Sequence, residues 1–159
     1  MRTKNNQKGF SLIELLIVVA IILIIAAIAI PNLLRSRMAA NEASAVGSLR
    51  TLNTAAVTYS TTYGIGYPAT IAALGPATPA TSAAADLIDS VLAASSKSGY
   101  SFSYSPGAVT AGTRSDYGIT ATPLSTSTGS RTFFTNQSGV IRADATGSGT
   151  ATVNSTPIS

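Results

Sequence analysis

The chain has 159 residues, a length that favours a single domain. Only 10% of the residues are charged, against about 25% in ordinary soluble domains. There is no histidine and no cysteine, which excludes a disulfide framework, an iron–sulfur cluster and a nucleophilic site built on Cys or His. Six acidic residues leave little material for a metal cage or a carboxylate pair. We therefore expect no enzyme, no cofactor and no bound metal.

The net charge of +4 is concentrated at the start of the chain. Arg2, Lys4 and Lys8 lie within the first eight residues. The charges of the remaining seven basic side chains are nearly balanced by those of six acidic ones. Nucleic-acid-binding domains carry basic residues clustered over one face. The charge pattern therefore predicts no nucleic-acid partner.

An apolar run follows this basic segment. Residues 12–30 are apolar apart from Glu14. A helix needs about 20 apolar residues to cross a bilayer, so the run predicts a single-pass membrane helix with its basic end in the cytoplasm. A cleaved secretory signal is one alternative, but its apolar region is shorter, about 7–15 residues. A plain anchor is another, but an unpartnered acid in a lipid-facing helix costs a few kcal/mol.

The stretch KGFSLIELLIVVAIILIIAAIAIPNL resembles the N-terminus of type IV prepilins and type II secretion pseudopilins. The resemblance depends on a basic leader ending in Gly9, on Phe10 and Glu14, and on Pro31 after the apolar run. It implies cleavage between Gly9 and Phe10 by a membrane prepilin peptidase, followed by N-methylation of the new Phe10 amine. The anchor would then survive maturation, because the cut precedes it.

The resemblance also implies roles for the two other signature residues. Glu14 would pair with the N-terminal amine of a neighbouring subunit during assembly, which agrees with the need of a buried carboxylate for a partner. The alternative is a glutamate that snorkels to the membrane edge. Pro31 removes one helical hydrogen bond, and in the family it kinks a helix that continues beyond it. Taken alone, it could simply end the span.

Residues 32–63 predict the second half of the same helix. Apolar side chains recur at steps of three and four residues, which is the spacing of one helical face, and Val46 and Val57 widen that face. We place Arg35, Arg37, Glu42 and Arg50 outside it or in bridges between subunits. The face consists of Ala45, Leu49, Leu52, Ala56, Tyr59 and Tyr63.

The head, residues 64–159, predicts a loop, a short helix and a small sheet. The loop covers residues 64–85, and Asp86 is a candidate N-cap for a helix over residues 86–96. Alternating patterns then predict three or four antiparallel strands, packed on the helical face, and the last 15 residues form a loose tail or an edge strand. The candidate strands are residues 100–104, 116–123, 131–137 and 139–144.

These features predict an α+β, pilin-like fold. The regions are a cleaved leader (1–9), a transmembrane or filament-core half of the helix (10–31), an amphipathic half (32–63) and a globular head (64–159). The resemblance implies a structural subunit that polymerises into a type IV pilus. It would lie in the bacterial inner membrane before assembly and at the cell surface afterwards. Its partners would be copies of itself, the prepilin peptidase and N-methyltransferase, and an inner-membrane assembly platform.

The alternative function is a pseudopilin or minor pilin of a type II secretion or DNA-uptake machine. Pseudopilins of this kind often hold calcium in an acidic C-terminal loop. Asp116 and Asp144 are the only acids after Asp89, whereas calcium takes about six to eight oxygen ligands. The scarcity of acids favours the pilin.

Overall fold

A computed structural model describes residues 10–144 and 149–158. The leader assigned from the sequence, residues 1–9, therefore lies outside the described residues, as does part of the C-terminal tail. The chain divides into two compact units, the first ending at Ser36 and the second beginning at Arg37.

Helix α1 spans Leu12–Tyr63 and contains Pro31 in its interior. This confirms the prediction of one long N-terminal helix. Within the first unit, its large apolar side chains are exposed on every side of the helix. The amphipathic spacing of the later residues is absent here because almost every position is apolar.

The part of α1 that lies in the second unit buries one face. Ala45, Leu49, Leu52 and Ala56 are fully buried, and Tyr59 is nearly so, as their spacing predicts. Val57, expected to widen this face, is instead 49% exposed. It follows the fully buried Ala56 by one position, a turn of about 100°, which carries its side chain toward solvent.

Among its described residues, the head carries a six-stranded antiparallel sheet in the order β1-β2-β5-β6-β7-β8, with a separate β3–β4 hairpin. The sequence therefore predicted too few strands. Four of the strands have only two residues each, which is too short to show an alternating pattern. The smaller elements before the sheet are a 3-10 turn at Ile71–Leu74 and helix α2 at Ser90–Ala93. The strands are β1 (Ser96–Lys97), β2 (Tyr100–Pro106), β3 (Val109–Thr110), β4 (Thr113–Arg114), β5 (Tyr117–Pro123), β6 (Thr132–Asn136), β7 (Arg142–Asp144) and β8 (Thr156–Pro157).

Strands β2 and β5, with seven residues each, are the longest strands of the sheet. They pair in register from Tyr100 opposite Pro123 to Pro106 opposite Tyr117. Alternate residues of each strand face the core, because side chains along a strand point to opposite faces. The inward residues join the buried face of α1 in one hydrophobic cluster, which includes Phe102, Ile119 and Phe133.

The short helix starts later than the sequence predicts. Its N-cap is Asp89, whose Oδ1 accepts the Leu92 N–H at 2.7 Å, and not Asp86. Asp86 has a positive φ of 52°, and its N–H donates to the Gly75 carbonyl. The segment after Asp86 is thus tied to the 3-10 turn before any helix can begin.

A buried polar chain joins α1 to the sheet. Asn53 Nδ2 donates to Thr135 Oγ1 at 2.8 Å, and the Tyr117 hydroxyl donates to Asn53 Oδ1 at 3.0 Å. Burial raises the pKa of Tyr117 to about 12, so its hydroxyl remains a donor at neutral pH. Such satisfied groups add specificity to a core whose other members are apolar.

Candidate functional site

The start of α1 holds two of the residues singled out from the sequence, Phe10 and Glu14. Phe10 and Ser11 precede the helix. The Ser11 carbonyl accepts the Leu15 N–H at 3.3 Å, and the Ser11 N–H donates to Glu14 Oε2 at 2.9 Å. This contact is half of a capping box, in which an acid three residues after the N-cap accepts a hydrogen bond from the N-cap amide.

Gly9, the expected cleavage residue, lies outside the described residues. Phe10, the expected methylation site, is the first described residue and is 86% exposed. Phe10 directly precedes Ser11 in the chain, and the Ser11 amide donates to Glu14. The structure thus brings Ser11 and Glu14 into contact at the start of α1.

Pro31 lies 17 positions after Glu14, about 25 Å along a regular helix. It is not part of the cluster at the helix start. Proline has no N–H, so it cannot donate to the carbonyl of Ala27 four residues earlier. The site for the expected kink thus lies inside α1, near the end of the apolar run.

The apolar side chains of the first unit form a continuous surface, here called the apolar sleeve and defined as residues 12–34. All of its large apolar side chains are exposed. Within the described part of the chain, α1 is the one helix long and apolar enough, by length and composition, to cross a membrane. A helix that is apolar all round needs lipid or other helices as its surroundings.

A second polar centre surrounds Glu42, a residue of α1 that contacts the head and is 8% exposed. Glu42 Oε1 accepts from the Ser130 amide at 3.1 Å, the Ser130 hydroxyl at 3.2 Å and the Arg131 amide at 3.3 Å. Glu42 Oε2 pairs with Arg131, at 2.8 Å to Nε and 2.7 Å to the terminal nitrogen. The carboxylate thus fixes the start of β6 to α1.

Opposing effects act on the pKa of Glu42. Burial raises it, but the hydrogen bonds from Ser130 and Arg131 and the positive charge of Arg131 outweigh burial and hold the pKa below its usual value. Glu42 is therefore ionised at neutral pH. The Tyr100 hydroxyl donates to the Arg131 carbonyl at 2.9 Å, and burial, with a smaller contribution from the Glu42 charge, raises the pKa of Tyr100 to about 12.

We expected Glu42 to lie outside the buried face or in a bridge between subunits. The structure instead buries it against the head. It precedes Ala45 by three positions, so it continues the spacing of that face by one step. This signal could have placed it inward. Its partner Arg131 lies 89 residues away, and no local pattern indicates such a pair.

Both centres use their carboxylates for contacts within the described part of the chain. The described residues contain no group of three or more His, Cys, Asp or Glu side chains that could hold a metal ion. Glu42 has all its polar contacts within the head, and Glu14 contacts a backbone amide. What the two arrangements can do is fix a helix start and fix a strand to a helix.

Comparison with known proteins places the first centre in a family context. The family model of the prokaryotic N-terminal methylation motif matches residues 4–30, which include Gly9, Phe10 and Glu14. The match thus lies at the start of the chain and includes most of the apolar sleeve. No solved structure matches the chain significantly.

Two curated relatives are type IV pilins by name. The type IV wide pilus major component PilA4 of Thermus thermophilus is 66% identical over 38 residues, which cover 24% of this chain and 29% of the relative. The type IV major pilin protein PilA of Myxococcus xanthus is 48% identical over 54 residues, which cover 34% of this chain and 24% of the relative. The matches therefore span about a quarter of each relative's length. With the methylation motif, they support a type IV pilin, a structural class of protein.

Proposed function

We propose that this chain is a subunit that polymerises into a type IV pilus filament through α1. Maturation would cut between Gly9 and Phe10 and methylate the Phe10 amine. The observation that carries the proposal is the apolar sleeve, which is exposed on all sides and has one acid, Glu14, at its start. Such a surface fits first a bilayer and then a bundle of identical helices.

The role of Glu14 in assembly follows from the energetics of that transfer. Lipid is as apolar as a helix bundle, so moving the sleeve between them yields little hydrophobic gain. Specificity must come from packing and from polar contacts. Glu14 Oε2 is engaged by the Ser11 amide, whereas Oε1 has no partner among the described residues. We propose that Oε1 receives the cationic Phe10 amine of a neighbouring subunit.

The proposed partners and location follow from the same maturation. The chain would be inserted once in the inner membrane, with the leader in the cytoplasm, where the peptidase and N-methyltransferase act. An assembly platform in that membrane would then transfer it to the filament at the cell surface. The helix kink at Pro31 is proposed for the assembled state, where packing against neighbours can accommodate the missing hydrogen bond.

The pseudopilin or minor-pilin function is not favoured. Both relatives are named as major components or major pilins. Each similarity spans about a quarter of the relative, so an experiment on the abundance of the protein distinguishes the two functions.

The test is intact mass and N-terminal sequencing of the protein in sheared surface material and, separately, in membranes. We expect an abundant chain beginning at methylated Phe10 in the sheared material. The same chain confined to membranes would support the pseudopilin or minor pilin instead. A chain that begins at Met1 in both fractions would refute the proposed maturation. Gly9→Leu is the matched control, because a larger residue before the cut should block cleavage and leave the full-length precursor, with the leader still attached.

A further inference from the structure

The head has few charged side chains, and most of them are engaged within the described residues. Glu42 pairs with Arg131 and Asp89 pairs with Lys97, while Arg114 and Arg142 donate to backbone carbonyls. A small set in the second unit has no hydrogen bond or ion pair for the side chain in the described part of the chain. This set is Arg37, Arg50, Asp86 and Asp116.

Of the two cations in this set, Arg50 lies in a groove. Two neighbouring cavities, of about 390 and 230 Å³, share Arg50 and Ile158 in their linings and together form a groove beside α1. The other lining groups include the apolar side chains of Val46, Phe133 and Ile141. Glu42 also lines the groove but is occupied by Ser130 and Arg131. The groove therefore offers an apolar wall and one unpaired cation, which suits an apolar segment carrying a carboxylate.

The β3–β4 hairpin and the adjacent Asp116 have the complementary character. Val109 is 57% exposed, although it is a large apolar residue. Ala111, in the turn, has a positive φ of 53°, a costly conformation for a residue with a Cβ. Asp116 is exposed, and its carboxylate lies so close to Gly107 that no Cβ would fit there. The structure thus holds an exposed carboxylate beside a hairpin that presents one exposed large apolar side chain, Val109.

Asp86, the other unpaired acid, fits the groove less well. Its neighbour Leu87 lines a third cavity, of about 350 Å³, which also includes Arg50 of the same chain. Asp86 therefore lies on an element that already borders the Arg50 side chain within one subunit. Asp116 lies at the start of β5, next to the hairpin, and is the acid better placed to serve a second copy.

We propose that the β3–β4 hairpin of one copy docks into the groove of a second copy, with the Asp116 carboxylate paired to the Arg50 guanidinium. The inference rests on the proposed function, since polymerisation supplies the second copy. The two surfaces are different parts of the head, so the contact is heterologous. Repetition of a heterologous contact that does not close produces an open chain of subunits, as a filament requires.

The first experiment exchanges the charges. Arg50→Glu and Asp116→Arg should each lower the yield of processed subunit in sheared filaments about tenfold or more, because like charges then face each other. The double variant R50E/D116R should recover most of that yield. The matched control is R50E/D86R, which has the same net charge and should remain low. A normal filament yield from either single variant would overturn the pairing. Recovery of the yield in R50E/D86R would overturn it as well.

The second experiment uses the absence of cysteine from the chain. Ala43→Cys places a thiol in the groove lining, and Thr110→Cys places one in the hairpin. Oxidation of filaments from the double variant should give a ladder of covalent multimers in denaturing gels. Ala43→Cys with Thr126→Cys is the control, because Thr126 follows the opposite end of β5 from the hairpin.

The outcomes separate this inference from the proposed function. Filaments that form normally but give no ladder would overturn the hairpin contact and leave polymerisation intact. If the unaltered chain forms no filaments at all, both proposals fall. A ladder in the control pair as strong as in the test pair would show random collision and would also count against the contact.

Discussion

The two parts of α1 have the same backbone but opposite surfaces. In the first unit the side chains are apolar on every side and exposed, whereas in the second unit one face is buried and the other, apart from Val57, is mostly small or polar. The head supplies a partner for the second part. The partner of the first part must be lipid or another molecule. The comparison shows that one continuous element can combine a surface completed by its own chain with one that is not.

Each part also has one glutamate, and the two differ in the same way. Glu42 receives five close contacts from Ser130 and Arg131, and it is buried in the head. Glu14 receives one contact, from the backbone amide of Ser11, and is exposed. Substitutions in the two parts should therefore affect different properties of the molecule: assembly in the first and folding of the head in the second.

The largest expected effect is on assembly. Glu14→Ala should still be cleaved but should reduce filament yield about tenfold or more, because the proposed pairing with the Phe10 amine is lost. The measurement is the amount of processed protein in sheared and membrane fractions. Glu14→Gln is the sharper variant, since glutamine can keep the capping contact with Ser11 but carries no charge. Normal filaments from Glu14→Gln would mean that the cap matters and the ion pair does not.

The next effect is on head stability. Leu49→Ala should lower the free energy of unfolding of the head by about 3 kcal/mol, because Leu49 is fully buried and its removal leaves a cavity. Urea unfolding of the full chain in detergent, followed by near-ultraviolet circular dichroism of the tyrosines, measures it. Leu23→Ala, in the apolar sleeve, should leave this transition unchanged. Equal shifts from the two variants would contradict the division of the helix into two kinds of surface.

A smaller loss is expected at the ion pairs of the head. Glu42→Gln should cost about 1–2 kcal/mol, since several hydrogen bonds to a charged, buried group are weakened. Lys97→Gln breaks the exposed pair with Asp89 and should cost less than Glu42→Gln, because solvent screens an exposed pair. The same unfolding assay compares them. A larger cost at Lys97 would show that burial does not determine the worth of these pairs.

The smallest effect is in the pH dependence. The folded state holds the pKa of Glu42 below its ordinary value of 4.5. The stabilisation is therefore fully present above that value and is lost as pH falls through the lower folded pKa. Stability measured from pH 7 downward should decline below about pH 4.5. The Asp89 pKa is lowered as well, by the Leu92 amide and then by Lys97, so some decline should persist in Glu42→Gln. Identical profiles for the two proteins would exclude a contribution from Glu42.

Local patterns predicted much of this structure. The spacing of Leu49, Leu52 and Ala56 indicates the buried face, and the alternation along β2 and β5 indicates strands, because both signals lie within a few neighbouring residues. The two-residue strands β3 and β4 give no such signal. Asp86 and Asp89 are both plausible N-caps by residue type, and only the bond from Asp86 to Gly75 decides between them.

The candidate sites also differ in whether their residues are near or distant in the sequence. The Ser11–Glu14 contact spans three residues and can be inferred from a local motif. The Glu42–Arg131 pair and the groove beside Arg50 depend on residues brought together by the sheet. Arg50 and Ile158 are more than 100 positions apart, and the sequence alone offers no rule that joins them.

The capping contact at the helix start has a further consequence for the order of events in maturation. The bonds that begin α1 come from Ser11 and Glu14, and both residues remain after a cut between Gly9 and Phe10. The described contacts of the first turn would therefore survive the proposed cut. A peptidase acting at that bond would not have to melt the helix, and the product would leave the enzyme with the anchor already in its final secondary structure.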